Sequence, residues 1–230
     1  MRDLREDLDP VWRSAMRLGG AADGARILMF TSAVGGEGVS SMAASFACLA
    51  ARRSEKPVWL VDLDFRGNPQ FKAFKKGFAR DVGKPGRAFD ASLKQTPIFD
   101  ISPNSADGRF DKLLTVNEIE GLSLLVSRFR GERLSSGQTV SLQNSPDWWQ
   151  ALRKIAGWVI VDAPSLSQSA AALTMAGMAD GIALVVAADH TTPSEVEDAR
   201  RELEARQGRI LGAVLNRVKA DARFADRLSA

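Results

Sequence analysis

The 230-residue sequence has no tyrosine, a single histidine and a single cysteine. With one cysteine, Cys48, no disulfide can form within the chain, which is typical of a protein from a reducing compartment. The apolar neighbours of Cys48 predict a small core residue rather than a nucleophile. With one histidine, His190, neither a zinc site nor a histidine-based catalytic triad can be assembled from the usual ligands. We therefore expect His190 to be an ordinary loop residue.

Long apolar runs are also missing. No run reaches the roughly 20 residues needed to cross a bilayer, and the first ten residues carry charges without the apolar stretch of a signal peptide. We therefore expect a cytoplasmic protein. The net charge of +3 and the pI near 9.2 fall short of the dense basic face of most nucleic-acid binders, so we predict no nucleic-acid partner. The length suits one globular domain with a full core.

Short apolar runs bounded by turn residues alternate with longer helical patterns along most of the chain. This alternation predicts an α/β fold, a doubly wound, mostly parallel sheet with helices on both faces. The predicted strands are residues 26–32, 57–64, 121–127, 158–164, 181–188 and 209–218. The predicted helices are residues 39–53, 145–157, 169–179 and 193–207. Residues 65–120 show no sustained period, and we interpret them as a solvated region of loops and helix.

The segment "SAVGGEGVSS", residues 32–41, lies between a predicted strand and a predicted helix. Backbone N–H groups in such a glycine-rich turn point at an anion, and the dipole of the following helix adds partial positive charge. The segment therefore predicts a phosphate-binding loop, in which Ser40 can offer a hydroxyl group to Mg²⁺. It departs from the pattern GxxxxGK[ST], because Val39 stands in the place of the lysine. The residues predicted to bind the cofactor are Gly35, Gly36, Glu37, Gly38, Val39, Ser40 and Ser41.

Two later motifs place aspartates at strand ends. "VWLVDLDFR" contains Asp62 and Asp64, whose spacing of two puts both carboxylates on the same side of the strand's carboxyl end. "WVIVDAP" contains Asp162, in the position of a carboxylate that orients Mg²⁺ through water. One strand-end aspartate is usually only a helix cap, but three that follow a glycine-rich loop indicate a site. The predicted magnesium ligands, partly through water, are Ser40, Asp62 and Asp162.

These motifs, with "MADGIALVVAADHTT" and "ILGAVLNRV", resemble the bacterial tyrosine kinase (BY-kinase) family. That family comprises the cytoplasmic kinase modules of polysaccharide export, within the MinD/ParA class of P-loop ATPases. The resemblance covers residues 26–218 in consistent order and implies one P-loop NTPase-like domain there. Residues 1–25 are then an N-terminal helical segment that includes a surface helix, and residues 219–230 are a C-terminal tail.

The resemblance also implies roles for individual positions. Four loop residues match the phosphate loop of the family, namely Gly36, Gly38, Ser40 and Ser41. Asp62, Asp64 and Arg66 match its second motif, and Asp162 matches its third. Asn216 falls where such proteins place an adenine contact. The implied cofactor is ATP or ADP with Mg²⁺, and in an active kinase Asp64 and Asp62 would be the catalytic carboxylates.

Departures from the family bear on activity. Val39 replaces the lysine that binds the β- and γ-phosphates, and losing a charge-assisted hydrogen bond of roughly 1.5–3 kcal/mol predicts weak nucleotide binding. Phosphoryl transfer is expected to fall further, by a factor on the order of 10² to 10³. BY-kinases phosphorylate tyrosines near their own C-terminus, which a chain without tyrosine cannot do. Val34 stands where MinD/ParA proteins carry an additional lysine.

The leading hypothesis is an impaired or inactive kinase-like P-loop protein of exopolysaccharide or capsule biosynthesis and export, which acts as a regulator. Its implied partner is a membrane polysaccharide co-polymerase, or the cytoplasmic tail of one, which would bring it to the inner face of the cell membrane. A homo-oligomer is compatible with this hypothesis. Three alternatives stay open: an active ATPase or protein tyrosine kinase acting on another chain, an interaction module that binds no nucleotide, and a MinD/ParA-type positioning ATPase.

A basic segment, residues 71–78, interleaves three lysines with three phenylalanines. This composition suits an acidic and aromatic tail or an anionic membrane surface. Ordinary packing of an amphipathic helix would give the same pattern.

Overall fold

A computed structural model describes residues 1–18, 24–103, 112–188 and 190–218. The predicted C-terminal tail, residues 219–230, lies outside the described residues. The strands are β1 (Arg26–Thr31), β2 (Val58–Asp62), β3 (Pro85–Asp90), β4 (Phe99–Ser102), β5 (Leu114–Ile119), β6 (Leu124–Phe129), β7 (Thr139–Leu142), β8 (Trp158–Asp162), β9 (Gly181–Ala187) and β10 (Ile210–Asn216). The helices are α1 (Asp9–Met16), α2 (Val39–Arg53), α3 (Pro69–Lys76), α4 (Pro146–Ile155), α5 (Ala171–Met175) and α6 (Pro193–Ala205).

Eight strands form one sheet in the order β10-β9-β1-β8-β2-β6-β5-β3. The six strands from β10 to β6 are parallel, and β5 and β3 are added antiparallel at one edge. The prediction of a doubly wound, mostly parallel sheet is confirmed. The loop that follows β1 leaves the carboxyl end of the sheet between β8 and β9, where open α/β sheets place their ligands.

Alternate side chains of β1 enter two different cores. Ile27 and Met29 pack with residues of α4, α5 and α6 on one face of the sheet. Leu28 and Phe30 pack with residues of α2 and α3 on the other face. Both faces are therefore covered by helices, as predicted. Cys48 is fully buried among the α2 residues, and its pKa is raised to about 12 by burial, which confirms a core residue rather than a nucleophile.

The N-terminal residues pack against α2. Leu4 and Leu8 are buried in the same core as α2, and the α1 residue Trp12 lies 5.4 Å from the ring of Trp158 and 5.7 Å from that of Phe46. The predicted surface helix is present as α1. One side of it is therefore an integral part of the core.

Residues 65–120 contain more structure than the sequence indicated. They include α3, β3, β4 and β5, and β4 pairs with β7 in a separate two-stranded sheet. Strand β3 lies at the sheet edge and, apart from Pro85, its residues are exposed, so it carries no apolar alternation. Strand β4 has only four residues and pairs with a strand that begins at residue 139. Such strands depend on distant partners rather than on local pattern.

Candidate functional site

The glycine-rich loop has the backbone conformation of an anion-binding turn. Gly36 and Gly38 have φ angles of 85° and 94°, and Gly38 directly precedes α2. A Cβ atom at Gly38 would lie 2.2 Å from Nδ2 of Asn216, so glycine is required there by both conformation and space. The loop presents its main chain at the amino end of a 15-residue helix, an arrangement that attracts anions.

Glu37 holds this loop against the end of β9. Its side chain is buried, and its carboxylate accepts hydrogen bonds from the backbone N–H of Ala187 at 2.9 Å and from the hydroxyl of Thr191. The sequence predicted Glu37 as a cofactor-binding residue by its place in the loop. In the structure its carboxylate is engaged with the protein and positions the loop, while Glu37 also lines the cavity, so its contact with a cofactor stays a prediction.

The end of β10 holds the loop from a second side. Nδ2 of Asn216 donates to the carbonyl oxygen of Glu37 at 2.7 Å, and the guanidinium group of Arg217 donates to that of Gly36 at 2.6 Å. Asn216, the predicted adenine contact, therefore lies beside the loop but uses its amide N–H on the loop main chain. Arg217 is a loop contact that sequence motifs missed. Its place directly after Asn216 was the available signal.

The loop and the three predicted aspartates surround one cavity of about 360 Å³. Residues 35–41 line it, with Asp62, Asp64 and Asp162. The site residues predicted from sequence are therefore brought together, apart from Asn216. Val39 lines the cavity and also packs into the core with only 9% exposure. Of the described residues, none that lines this cavity is a lysine or an arginine.

Asp62 and Asp162 are neighbours across β2 and β8, where the parallel register pairs them directly. Both side chains are buried, with 3% and 4% exposure. Burial raises the pKa of Asp162 to about 6. Burial and the charge of Asp162 raise the pKa of Asp62 well above its usual range. Two buried, neighbouring carboxylates repel each other when both are ionised, and a bound cation would relieve that repulsion.

Comparisons with known proteins identify the fold. No protein-family model matches the chain. Its sequence is 25% identical over 195 residues to the tyrosine-protein kinase CpsD of Streptococcus agalactiae, covering 84% of this chain and 76% of CpsD. Its structure is similar to the kinase domain of the Escherichia coli tyrosine kinase ETK, with a TM-score of 0.57, 17% identity and coverage of 94% of this chain and 76% of that domain.

The MinD cell division protein of Aquifex aeolicus is also similar, with a TM-score of 0.53, 17% identity and coverage of 88% of this chain and 73% of MinD. The chain has the P-loop fold of the bacterial tyrosine kinases and MinD. A more distant protein of similar structure is cobyrinic acid a,c-diamide synthase from Mycobacterium smegmatis with bound ADP and magnesium. The TM-score is 0.51 with 15% identity, and the match covers 89% of this chain and 81% of the synthase.

In this P-loop fold the two buried aspartates contact a residue that the motifs did not indicate, Gln70. It is fully buried in the first turn of α3. Its Nε2 donates to Oδ2 of Asp162 at 2.6 Å and to the carbonyl oxygen of Ser40 at 2.9 Å. Its backbone N–H donates to Oδ2 of Asp62 at 2.9 Å. The only sequence signal was its position six residues after Asp64, at the start of a helix.

Asp64 is less buried than the other two aspartates and belongs to a tight turn. Its Oδ1 accepts a hydrogen bond from the backbone N–H of Gly67 at 2.7 Å, and its own N–H donates to Asp62 at 3.0 Å. Arg66 is exposed, and His190 is exposed in the turn after β9, as expected for a loop residue. Asp64 thus lines the cavity with one carboxylate oxygen already engaged by the turn.

The residues fit magnesium bound together with a phosphate. The hydroxyl of Ser40 hydrogen-bonds Asp162, so a hydroxyl and two carboxylates converge, and all are the oxygen donors that Mg²⁺ prefers. Within residues 1–18, 24–103, 112–188 and 190–218, no group of three or more His, Cys, Asp or Glu side chains could hold a metal by itself. Phosphate oxygens and water would have to complete the coordination shell, as is usual for Mg²⁺.

The raised pKa of Asp162 predicts how the free energy of unfolding changes with pH. Because its folded-state pKa of about 6 exceeds the ordinary 3.8, its contribution to stability is complete at low pH and is lost as the pH rises through 6. In buffer with EDTA, Asp162→Asn should therefore stabilise the protein at pH 8 by about 3 kcal/mol, with a gain of less than about 1 kcal/mol at pH 4. Urea denaturation at both pH values measures this difference.

The control is Asp198→Asn, an exposed aspartate on α6. It should show no gain that depends on pH. A destabilised Asp162→Asn protein at pH 8 would contradict the burial of a charged carboxylate at this position.

Proposed function

We propose that this chain is a kinase-like, nucleotide-binding protein of exopolysaccharide or capsule biosynthesis and export, impaired in phosphoryl transfer, which regulates a membrane co-polymerase. The observation that carries this proposal is the cavity, which keeps the backbone cradle and the carboxylates of a magnesium and phosphate site but has no described cationic side chain in its wall. The proposed site thus keeps the groups that would bind a nucleotide with magnesium, but no described residue of its wall has a cationic side chain to accelerate phosphoryl transfer.

The proposed ligand is ATP or ADP with Mg²⁺, bound weakly. The backbone of residues 35–41 would hold the phosphates, and Ser40, Asp62 and Asp162 would hold the magnesium, partly through water. The cobyrinic acid synthase of similar fold has ADP and magnesium bound. Because the wall of the cavity is acidic, bound magnesium would supply the positive charge that offsets the phosphates.

Impaired transfer follows from the charge balance of the same cavity. Negative charge on the transferring phosphoryl group needs a preorganised cationic donor. Val39 offers an apolar side chain at the place of that donor and is packed into the core. The lack of any tyrosine removes the acceptor that a self-phosphorylating kinase of this family would use.

A second candidate function is transfer to another chain, with Asp64 activating the acceptor. A second cavity of about 520 Å³ favours it, because Asp64, Pro164 and Gln168 line both cavities. Arg66 and the β7 residues Val140, Ser141 and Leu142 form part of its wall. An acceptor group bound there would lie next to the phosphate cavity, as in-line transfer requires.

Docking at a membrane partner is the regulatory part of the proposal. No helix within the described residues is long and apolar enough to cross a membrane. We propose that association with the membrane is peripheral, through the co-polymerase or its cytoplasmic tail. The similarity to CpsD and ETK supports a role beside such a partner. A homo-oligomer of the chain is compatible with this arrangement.

The basic segment 71–78 divides into a buried and an exposed side. Phe74 and Phe78 are core residues with ring centroids 5.2 Å apart, and the guanidinium group of Arg128 lies 4.8 Å from the ring centroid of Phe71. The three lysines are exposed. Two phenylalanines thus serve helix packing, and only the positive charge is free to attract an acidic partner.

The first test is calorimetric titration with ADP and ATP. With Mg²⁺ the wild-type protein should bind in roughly the high-micromolar to millimolar range, and with EDTA no heat should be measurable, because phosphates would meet an acidic wall. Turnover should not exceed background. Absence of binding with Mg²⁺ would favour the interaction module without nucleotide, and turnover would favour the second candidate function.

Restoring the lysine tests the cause of the impairment. Val39→Lys should increase nucleotide affinity by about ten- to a hundredfold, because it adds a charge-assisted hydrogen bond to the phosphates. Ser167→Lys is the matched control, since it adds the same charge beside the same loop, at an exposed residue that hydrogen-bonds Ala33 and does not line the cavity. Equal effects of the two substitutions would show that only general electrostatic attraction had changed.

Charge reversal tests docking. Replacing Lys72, Lys75 and Lys76 with glutamate should reduce co-sedimentation with membranes that carry the co-polymerase by about tenfold at low salt, with a smaller loss at high salt. Thermal unfolding checks that the variant stays folded.

The matched control reverses three exposed lysines elsewhere, Lys56, Lys84 and Lys154, which changes the net charge by the same amount. Equal binding of both variants and the wild-type protein at every ionic strength would rule out the basic segment as the docking surface.

A further inference from the structure

Gln70 approaches both carboxylates of the proposed magnesium site from inside the protein. Its side-chain Nε2 donates a hydrogen bond to Oδ2 of Asp162, and its backbone N–H donates one to Oδ2 of Asp62. Each Oδ2 atom is one of the two carboxylate oxygens through which a cation, or a water molecule bound to it, can contact the aspartate. We propose that Gln70 is an internal substitute for the cation, which solvates the buried aspartates when magnesium is absent and must release Asp162 before magnesium binds.

The electrostatic reason lies in the pairing of β2 with β8. The register places Asp62 opposite Asp162, and both side chains are buried, so neither carboxylate can rely on bulk water. The 2.6 Å contact from Nε2 of Gln70 to Asp162 is in the range of a charge-assisted hydrogen bond. Together with the backbone donor at Asp62, it supplies part of the stabilisation that a bound cation would give.

The oxygen of the Gln70 carboxamide accepts no hydrogen bond from the residues that the structure describes. This atom, Oε1, is buried. Reversing the amide would place this oxygen next to the oxygens of Asp162, an unfavourable contact unless a donor lies between them. A water molecule bound to magnesium is such a donor. Oε1 of Gln70 could therefore accept a hydrogen bond from a water molecule on bound magnesium. Nε2 instead donates to Asp162 when no magnesium is bound.

The side chain of Gln70 also hydrogen-bonds the glycine-rich loop. Nε2 of Gln70 donates a second hydrogen bond to the carbonyl oxygen of Ser40, in the first turn of α2. A carboxamide that turns away from Asp162 has to give up this contact as well. The wild-type protein should consequently respond little to magnesium alone, because the ion has to displace two hydrogen bonds to reach the aspartates.

The test uses magnesium alone, without nucleotide, and thermal unfolding of the full chain. In EDTA, Gln70→Ala should lower Tm by about 5 °C, since the aspartates lose their donor. Millimolar Mg²⁺ should restore at least half of that loss, whereas the wild-type Tm should move by less than about 1 °C. Sodium chloride at matched ionic strength should not reproduce the recovery.

Gln70→Glu is the second variant. It replaces the donor with a third carboxylate, so its stabilisation by Mg²⁺ should exceed that of Gln70→Ala. The control is Gln168→Ala, which removes a glutamine that lines the cavity and hydrogen-bonds Ser165 rather than the aspartates. Its Tm should show no recovery with Mg²⁺.

The inference is overturned if Mg²⁺ leaves both Gln70 variants as unstable as EDTA does, including the case in which they stay unfolded, because Gln70 would then be only a structural link. It is also overturned if the wild-type protein responds to Mg²⁺ as strongly as Gln70→Ala. The inference rests on the proposed magnesium site but not on nucleotide turnover. Recovery by Mg²⁺ without nucleotide binding would support it while contradicting the proposed function.

Discussion

The site depends on the burial of two aspartates, Asp62 and Asp162, side by side at the ends of adjacent parallel strands. Burying two carboxylates away from water is unfavourable unless hydrogen-bond donors or a cation compensate their charge. Here the donors come from the first turns of two different helices, the Ser40 hydroxyl from α2 and Gln70 from α3. Both helices begin at this edge of the sheet because each follows a parallel strand, α2 after β1 and α3 after β2, and their first turns therefore lie close to the two carboxylates.

The glycine-rich loop is held in its conformation by contacts with the ends of two neighbouring strands. Glu37 ties it to the end of β9, and Asn216 and Arg217 tie it to the end of β10, all through contacts with the protein rather than with a ligand. These contacts explain how Val39 can occupy the place of the lysine while Gly36 and Gly38 keep their left-handed conformations. With valine at position 39 the loop has no lysine there, while the contacts that hold its conformation are present.

Local sequence patterns predicted the parts of the fold with a strong period. The apolar runs of β1, β2, β8 and β9 and the helical patterns of α2, α4 and α6 were placed to within a few residues. The antiparallel edge of β5 and β3 and the separate pair of β4 with β7 were missed. Strand β3 is exposed, β4 and β7 have four residues each, and β3 and β4 are held by pairing with strands distant in the sequence. The predicted helix 169–179 is shorter than expected and continues as a 3-10 turn at Ala176–Met178.

The sequence by itself determined the glycine-rich turn, the strand-end aspartates and the absence of tyrosine and of a loop lysine, because each is a property of residue type and spacing. Only the tertiary structure decided which side chains serve the ligand cavity and which serve the protein. Glu37 and Asn216 lie in the predicted motifs yet hydrogen-bond the chain itself, and Gln70 lies outside every motif yet contacts both aspartates. The physical reason is that a buried polar group takes the nearest partner in space, and sequence spacing does not encode that distance.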